Sequence, residues 1–234
     1  MNYLQIGLTP KVFPRTRGFL FINDDVIDGD VFDPTIHSFN PLKKLGYRGA
    51  REFAETVYGT EGKDTLTVRN GKRALTKALL TTTRLDQLDT EDEEAQATIG
   101  DLLISPILRK VLCGEPNFSF QSRPIVARLN RSEIGDFDAF ILGSLLIRQF
   151  KGQIVIPDFG FYARPFHSVL IRENRLMAGV NTLAELDPKM RQLCLLMDKA
   201  GKSCTHEDAV TLAQYEGLIP STNEYNSFIQ KAIT

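Results

Sequence analysis

Short apolar runs punctuate the chain, each closing on polar residues. Gly18–Ile22 precedes Asn23, Asp24 and Asp25, Ser122–Leu129 precedes Asn130, Ile154–Ile156 precedes Pro157 and Asp158, and Leu176–Val180 precedes Asn181 and Thr182. Brief apolar runs bounded by turn-forming residues predict buried strands, here at 18–22, 124–129, 153–157 and 176–180. A weaker run lies near 193–197, and Tyr3–Leu8 alternates weakly. Between the strands the period changes to that of a helix. Ala50, Phe53, Ala54 and Val57 recur at helical spacing within Tyr47–Tyr58, and Ala74, Leu75, Ala78, Leu79 and Leu85 share one side of Lys72–Leu88. Thr65–Val68 reads as a short β-branched segment.

Capping signals mark further helices. Thr90 with Glu93 opens one to about Leu103, and Ser105-Pro106 opens a short one through Leu112 that Gly114 ends. Asp138–Phe150 is amphipathic, and Pro188–Leu195 is helical. Thr205 with Asp208 and Ser221 with Glu224 open the last two helices, the first of them stopped at Gly217. Phe32–Leu45 carries two prolines and predicts an extended surface segment.

Alternating strands and helices predict α/β, a three-layer core with a mainly parallel sheet. The whole chain, 1–234, reads as a single α/β domain, with residues 47–114 as an all-helical insertion within it. Gln153–Leu186 is the centre of this plan: strand, acid, helix with two arginines, strand, polar end. In open parallel sheets ligands sit at the carboxyl ends of strands, so Asp158 and Asn181 mark the expected site.

Composition narrows the classes. The 234 residues are 42% hydrophobic and 24% charged with a net charge of −1, which gives no global attraction to nucleic acid or membrane. Cys113, Cys194 and Cys204 are widely spaced, without a CxxC pair, which argues against a disulfide framework or zinc site and for a reducing, cytoplasmic setting. The opening residues lack the charged and apolar regions of a signal peptide, and no apolar run is long enough to span a bilayer.

Other polar clusters have plain readings. The aspartates of Asp24–Asp33 suit either a hard-cation loop or a polar turn, and they lack the spacing and glutamate of an EF-hand. His37, His167 and His206 are far apart in sequence and have no partner at triad spacing. Glu133, Asp136 and Asp138 fit an acidic cluster at a helix N-terminus more simply than a hydrolytic carboxylate pair. No G-x-S-x-G elbow is present.

The order of these segments resembles the RecA-like core of the HerA/FtsK superfamily, which includes DNA-pumping ATPases and conjugative coupling proteins. GFLFINDD with VFDPTIHSFNPL is similar to the family's second strand and the segment leading into a helical insertion. RPIVARLNRSEIGDFDAFILGSLLIRQF is similar to the strand and long helix before the second acidic motif. QIVIPDFGF resembles the Walker B strand, IRENRLMAGVNTLAELDPKMR the arginine-bearing helix and sensor strand, and DAVTLAQYEGLIP the closing segment. The resemblance implies a fold of RecA-like P-loop-NTPase type, with ATP and Mg²⁺ as cofactors. It implies Asp158 as the Walker-B-like Mg²⁺ residue, Asn181 as a sensor, and Arg172 and Arg175 as finger-like residues. It also implies a homo- or hetero-oligomeric ring with ATPase subunits, acting on DNA.

Two departures qualify it. No GxxxxGK[ST] is present. Gly7–Gly18 occupies the expected position of the loop with two prolines in it, and Gly62-Lys63 and Gly71-Lys72 lack the following hydroxyl. Phe159 stands where the family has a water-orienting glutamate. The expected function is therefore a degenerate, non-hydrolysing ATPase-like subunit associated with DNA translocation or packaging. The alternatives are an α/β binding or scaffold protein without nucleotide chemistry, and an unrelated α/β enzyme.

Overall fold

The computed structural model describes residues 3–6, 19–23, 29–59, 65–120, 124–164, 167–195, 198–200 and 205–233. The chain divides into two compact units, residues 1–22 with 152–234, and residues 23–151.

The first unit contains β1 (Tyr3–Ile6) and β2 (Phe19–Ile22); the second contains β3 (Asp30–Phe32), α1 (Tyr47–Tyr58), α2 (Leu66–Ala78), α3 (Glu93–Ile104), α4 (Pro106–Cys113), β4 (Ile125–Ala127), α5 (Arg131–Ile134) and α6 (Asp136–Gln149). The chain then returns to the first unit through β5 (Gln153–Ile156), α7 (Phe159–Tyr162), α8 (Ser168–Arg172), β6 (Leu176–Val180), α9 (Pro188–Cys194), β7 (Asp198–Ala200), α10 (His206–Tyr215) and α11 (Asn223–Ile233).

In the first unit five strands lie in the order β2-β5-β6-β1-β7. Every pairing among them is parallel, with Leu20 opposite Ile154, Ile156 opposite Ala178, Leu4 opposite both Ala178 and Lys199. Strands of a parallel sheet are apolar throughout because both faces are covered. Accordingly β2 and β6 are buried at every position, as are Ile154, Val155 and Ile156. α10 and α11 pack on each other around a separate small core of Ala209, Ala213 and Ile229. Gly217, at φ +72°, makes the left-handed turn that ends α10.

The second unit pairs β3 with β4 in parallel and is otherwise helical among its described residues. Asn23 closes onto the end of β4: its N–H donates to the Ala127 carbonyl, and its amide exchanges two hydrogen bonds with the Leu129 backbone at 2.6 and 3.0 Å. Phe32 is fully buried and meets Phe39, Phe118 and Phe120 within 5.4–6.1 Å. Arg148, largely out of water, meets Glu52 at 3.4 Å; burial lowers its pKa, and Glu52 and Glu55 work against that shift.

Several elements differ from the sequence reading. The Phe32–Leu45 segment is not a surface strip: Ser38, Phe39, Asn40 and Leu42 are all buried. Asn40 turns the chain inward at φ 33°, and its side chain accepts from Leu42 N and donates to the Thr83 carbonyl. Thr65–Val68 is the start of α2, because the Thr65 hydroxyl caps Val68 N at 3.3 Å. That helix ends at Ala78, before the threonines at 81–83, rather than near Leu88. Asp92, not Thr90, caps α3, accepting from Ala95 N at 2.9 Å. Of the weak apolar run near 193–197, Leu193 and Cys194 end α9 and residues 196–197 lie outside the described residues; the strand is described at Asp198–Ala200. The Thr222 hydroxyl, rather than Ser221, accepts at the start of α11. Among the described residues no helix is long and apolar enough to cross a membrane.

Candidate functional site

The site begins where β5 and β6 run out. The apolar side chains that bury both strands stop at Ile156 and Val180. Pro157 cannot continue the hydrogen-bond ladder, so the chain leaves the sheet there. Asp158 and Asn181 follow, both exposed, at the carboxyl ends of adjacent parallel strands. The ends are close. A side chain on Gly179 would put its Cβ 2.4 Å from the Pro157 carbonyl oxygen, so only glycine allows β6 this approach.

Glu185 completes the edge. Its carboxylate accepts from Asn181 N at 3.2 Å and from Asn181 Nδ2 at 2.9 Å. The same carboxylate lies over Gly160, where a Cβ would come within 2.3 Å of Oε2. Glu185 thus bridges the turn after β5 to the end of β6. The loop between Asn181 and Glu185 is held from behind by Asp208 of α10. Asp208 Oδ1 accepts from Thr182 Oγ1 at 3.0 Å and from Leu183 N at 2.9 Å. Asp208 is 2% exposed, and its second oxygen is buried without a hydrogen-bond partner.

Phe159, next after Asp158, is fully buried and faces the core rather than the strand-end edge. Arg172 and Arg175 lie elsewhere. Arg175 precedes β6 and braces the amino-terminal edge of the sheet, donating to the Gly152 carbonyl at 3.1 Å and pairing with Glu173 at 2.6 Å. Arg172 is exposed at the end of α8. The structure therefore brings Asp158 and Asn181 together and keeps Arg175 at the opposite ends of the same strands.

The Gly7–Gly18 segment and Gly62-Lys63 lie outside the described residues. Gly71 is inside α2, buried against Tyr58 and Glu94, so Gly71-Lys72 is helix interior and not a phosphate loop. Of the Asp24–Asp33 run, 24–28 lie outside the described residues. Asp33 accepts from the Thr35 hydroxyl and N–H; burial pushes its carboxyl up, but those bonds, with His37 and Arg128 nearby, hold it below its usual value. Among the described residues no group of three or more His, Cys, Asp or Glu could hold a metal ion. His37 Nδ1 accepts from Asp33 N at 3.0 Å, His167 is buried with Nδ1 2.7 Å from the Tyr162 carbonyl, and His206 is exposed at the start of α10. Asp136 pairs with Arg131 and Glu133 accepts from Asn130, so the acids near α6 take separate partners. Burial pushes the Cys194 thiol up to about 12, which leaves it inert.

No motif in the sequence marks Glu185 or Asp208 as a site residue. The i, i+4 spacing of Asn181 and Glu185 was the available local signal for the first. Asp208 read only as half of a capping box. Thr205 does cap Asp208 N at 3.1 Å, but the Asp208 carboxylate turns away to Thr182 and Leu183.

A five-stranded all-parallel sheet with helices between its strands and polar residues at adjacent carboxyl ends is an α/β core of RecA-like type. Among solved structures, that of VirB4 of Thermoanaerobacter pseudethanolicus is similar over 99% of this chain and 84% of that one, with a TM-score of 0.59 and 12% sequence identity. At that identity the likeness is one of fold. No family model matches the chain. No curated protein matches it in sequence.

Proposed function

We infer that the chain is an ATPase-like subunit of a DNA-translocating or DNA-packaging assembly, one that does not hydrolyse ATP by itself. The observation that carries this reading is the juxtaposition of Asp158 and Asn181 on adjacent carboxyl ends of a five-stranded parallel sheet. The likeness in fold to VirB4, over 99% of this chain, supports it. If nucleotide binds at this edge, Asp158 holds Mg²⁺ through water and Asn181 offers its amide to the terminal phosphate. Bound Mg²⁺ supplies charge neutralisation on the phosphates. Glu185, which accepts from both Asn181 donors, sets the orientation of that amide.

Three features support the non-hydrolysing part. The sequence has no GxxxxGK[ST]. The position after Asp158 carries Phe159, buried in the core, so no carboxylate orients water from there. Arg175 is already engaged with Glu173 and Gly152. Arg172 is exposed at the end of α8, where an arginine can reach a neighbouring subunit's nucleotide. In this reading the chain is one α/β domain with residues 47–114 as its helical insertion, and it works in a ring with catalytic subunits.

ATP turnover by the purified chain is the test. The expected result is no turnover above the buffer blank. Turnover that survives Asp158→Ala would sink both the non-hydrolysing assignment and the site.

A further inference from the structure

α11 carries an apolar stripe larger than the surface that covers it. Tyr225, Phe228, Ile229, Ala232 and Ile233 recur at i, i+3, i+4, i+7 and i+8, so they share one side of the helix. A helix buries such a stripe against another element. Here the opposing surface is the Ala209 and Ala213 side of α10, with Val210 and Leu218 packed at its margin. Alanines let the two helices approach closely, but they cover little of an aromatic ring. Of the five stripe residues Ile229 alone is buried; Tyr225, Phe228 and Ala232 are half-buried, and Ile233 is exposed. In the turn between the helices, Ile219 is 71% exposed. The sheet of the same unit contrasts with this, since β2 and β6 are buried at every position.

The charges around this face are almost all of one sign. From Thr205 to Ile233 the chain carries Glu207, Asp208, Glu216 and Glu224 against a single Lys231. Asp208 is buried and engaged with Thr182 and Leu183, but the three glutamates are exposed. Glu207 stands one turn before Val210, Glu216 one turn after Ala213, and Glu224 one turn before Phe228, so each flanks an apolar residue of the hairpin. An acidic rim repels a phosphate backbone and an anionic lipid surface, and it attracts lysine and arginine. An extended peptide finds no open backbone edge here, because helices satisfy their own hydrogen bonds. A third helix needs none, and it brings the apolar stripe that the two alanines do not.

We propose that the α10–α11 hairpin is a docking surface for a basic amphipathic helix of another protein. The apolar face of that helix covers Tyr225, Phe228 and Ile233, and lysines or arginines at its flanks meet Glu207, Glu216 and Glu224. Apolar anchors supply the affinity, and the flanking charges select the partner. The docking surface is independent of the nucleotide reading and stands or falls separately from it.

The experiment is fluorescence anisotropy on the full chain with two labelled synthetic peptides of about 18 residues, long enough to hold a helix. Both carry the same leucine face; one has lysines on its flanks and the other glutamates. The lysine peptide is expected to bind at least about tenfold more tightly at about 50 mM salt, and the preference shrinks by about 500 mM as the charges are screened. Phe228→Ser removes the apolar anchor, and binding of the lysine peptide is lost. Glu207→Gln/Glu216→Gln/Glu224→Gln keeps the shape of the face, and the preference for lysine falls to about twofold or less. Circular dichroism and thermal melting show that each variant is folded; should Phe228→Ser lose helix, the glutamine variant decides. No binding of the lysine peptide up to about millimolar, equal binding of the two peptides at low salt, or a preference unchanged in the glutamine variant overturns the proposal. Two parallel measurements also bear on it. Sedimentation of wild type as a dimer that Phe228→Ser returns to monomer assigns the face to a second copy, and binding to phosphatidylglycerol vesicles that Phe228→Ser removes assigns it to a lipid surface; either result overturns the proposal.

Discussion

Asp208→Ala is the perturbation that the site geometry constrains most tightly. The carboxylate reaches from α10 to the loop after β6 and accepts from Thr182 Oγ1 at 3.0 Å and Leu183 N at 2.9 Å. Hydrogen bonds to a charged acceptor are worth about 1.5–3 kcal/mol each, and a buried N–H left without an acceptor costs about 1–3 kcal/mol. Leu183 is 1% exposed, so water cannot readily replace the lost acceptor. Against this, Asp208 Oδ2 is buried without a partner in the wild type, and alanine relieves that cost. The balance is a net loss of about 2–4 kcal/mol, or about 5–15 °C in Tm for a chain of this size. The change should also be local. Hydrogen–deuterium exchange is expected to rise at Asn181–Glu185 while β5 keeps its protection. Thr182→Val removes the bond to Asp208 and also the acceptor for Ala184 N at 3.2 Å, and should cost about 1–2 kcal/mol; its effect is non-additive with Asp208→Ala, because either change alone already breaks the Thr182–Asp208 bond. A melting temperature within about 2 °C of wild type, with exchange at Leu183 unchanged, would refute this account of how the loop is held.

Two further outcomes follow from single residues. Gly179→Ala should destabilise by about 1–3 kcal/mol in a thermal melt, because its Cβ would lie 2.4 Å from a backbone oxygen that cannot swing aside; a neutral result would mean that β5 and β6 end farther apart than described. Asp138 is buried against Ser105, and burial raises its carboxyl pKa. A raised folded pKa makes the charged form a cost at neutral pH that is relieved as pH falls through that pKa. The stability of Asp138→Asn relative to wild type should therefore be greatest near pH 7 and shrink toward pH 4; a difference independent of pH contradicts the assignment.

How much was legible varied with how local the cause was. β5 and β6 were plain because buried parallel strands are continuous apolar runs, and Pro157 and Asn181 close them visibly. Asp158 and Asn181 could be assigned to strand ends for the same reason. β7 carries Asp198 and Lys199 and owes its existence to pairing with β1, which no local pattern records. Thr65–Val68 has the letters of a strand, but the hydroxyl of Thr65 turns back to cap a helix, and a cap is decided by one hydrogen bond rather than by propensity. The burial of Asn40 depends on Thr83, and the anchoring of Leu183 depends on Asp208. Contacts between residues so distant in sequence leave no periodic trace.

The central claim, that the Asp158–Asn181 edge is a nucleotide site in an ATPase-like subunit, is met most directly by titrating a fluorescent ATP analogue into the chain, with and without Mg²⁺, alone and beside a partner ATPase. The expected result is Mg²⁺-dependent binding that Asp158→Ala removes without lowering the melting temperature. No binding up to about millimolar nucleotide in any of these mixtures, an affinity of only about −4 kcal/mol, would contradict it and leave an α/β scaffold without nucleotide chemistry.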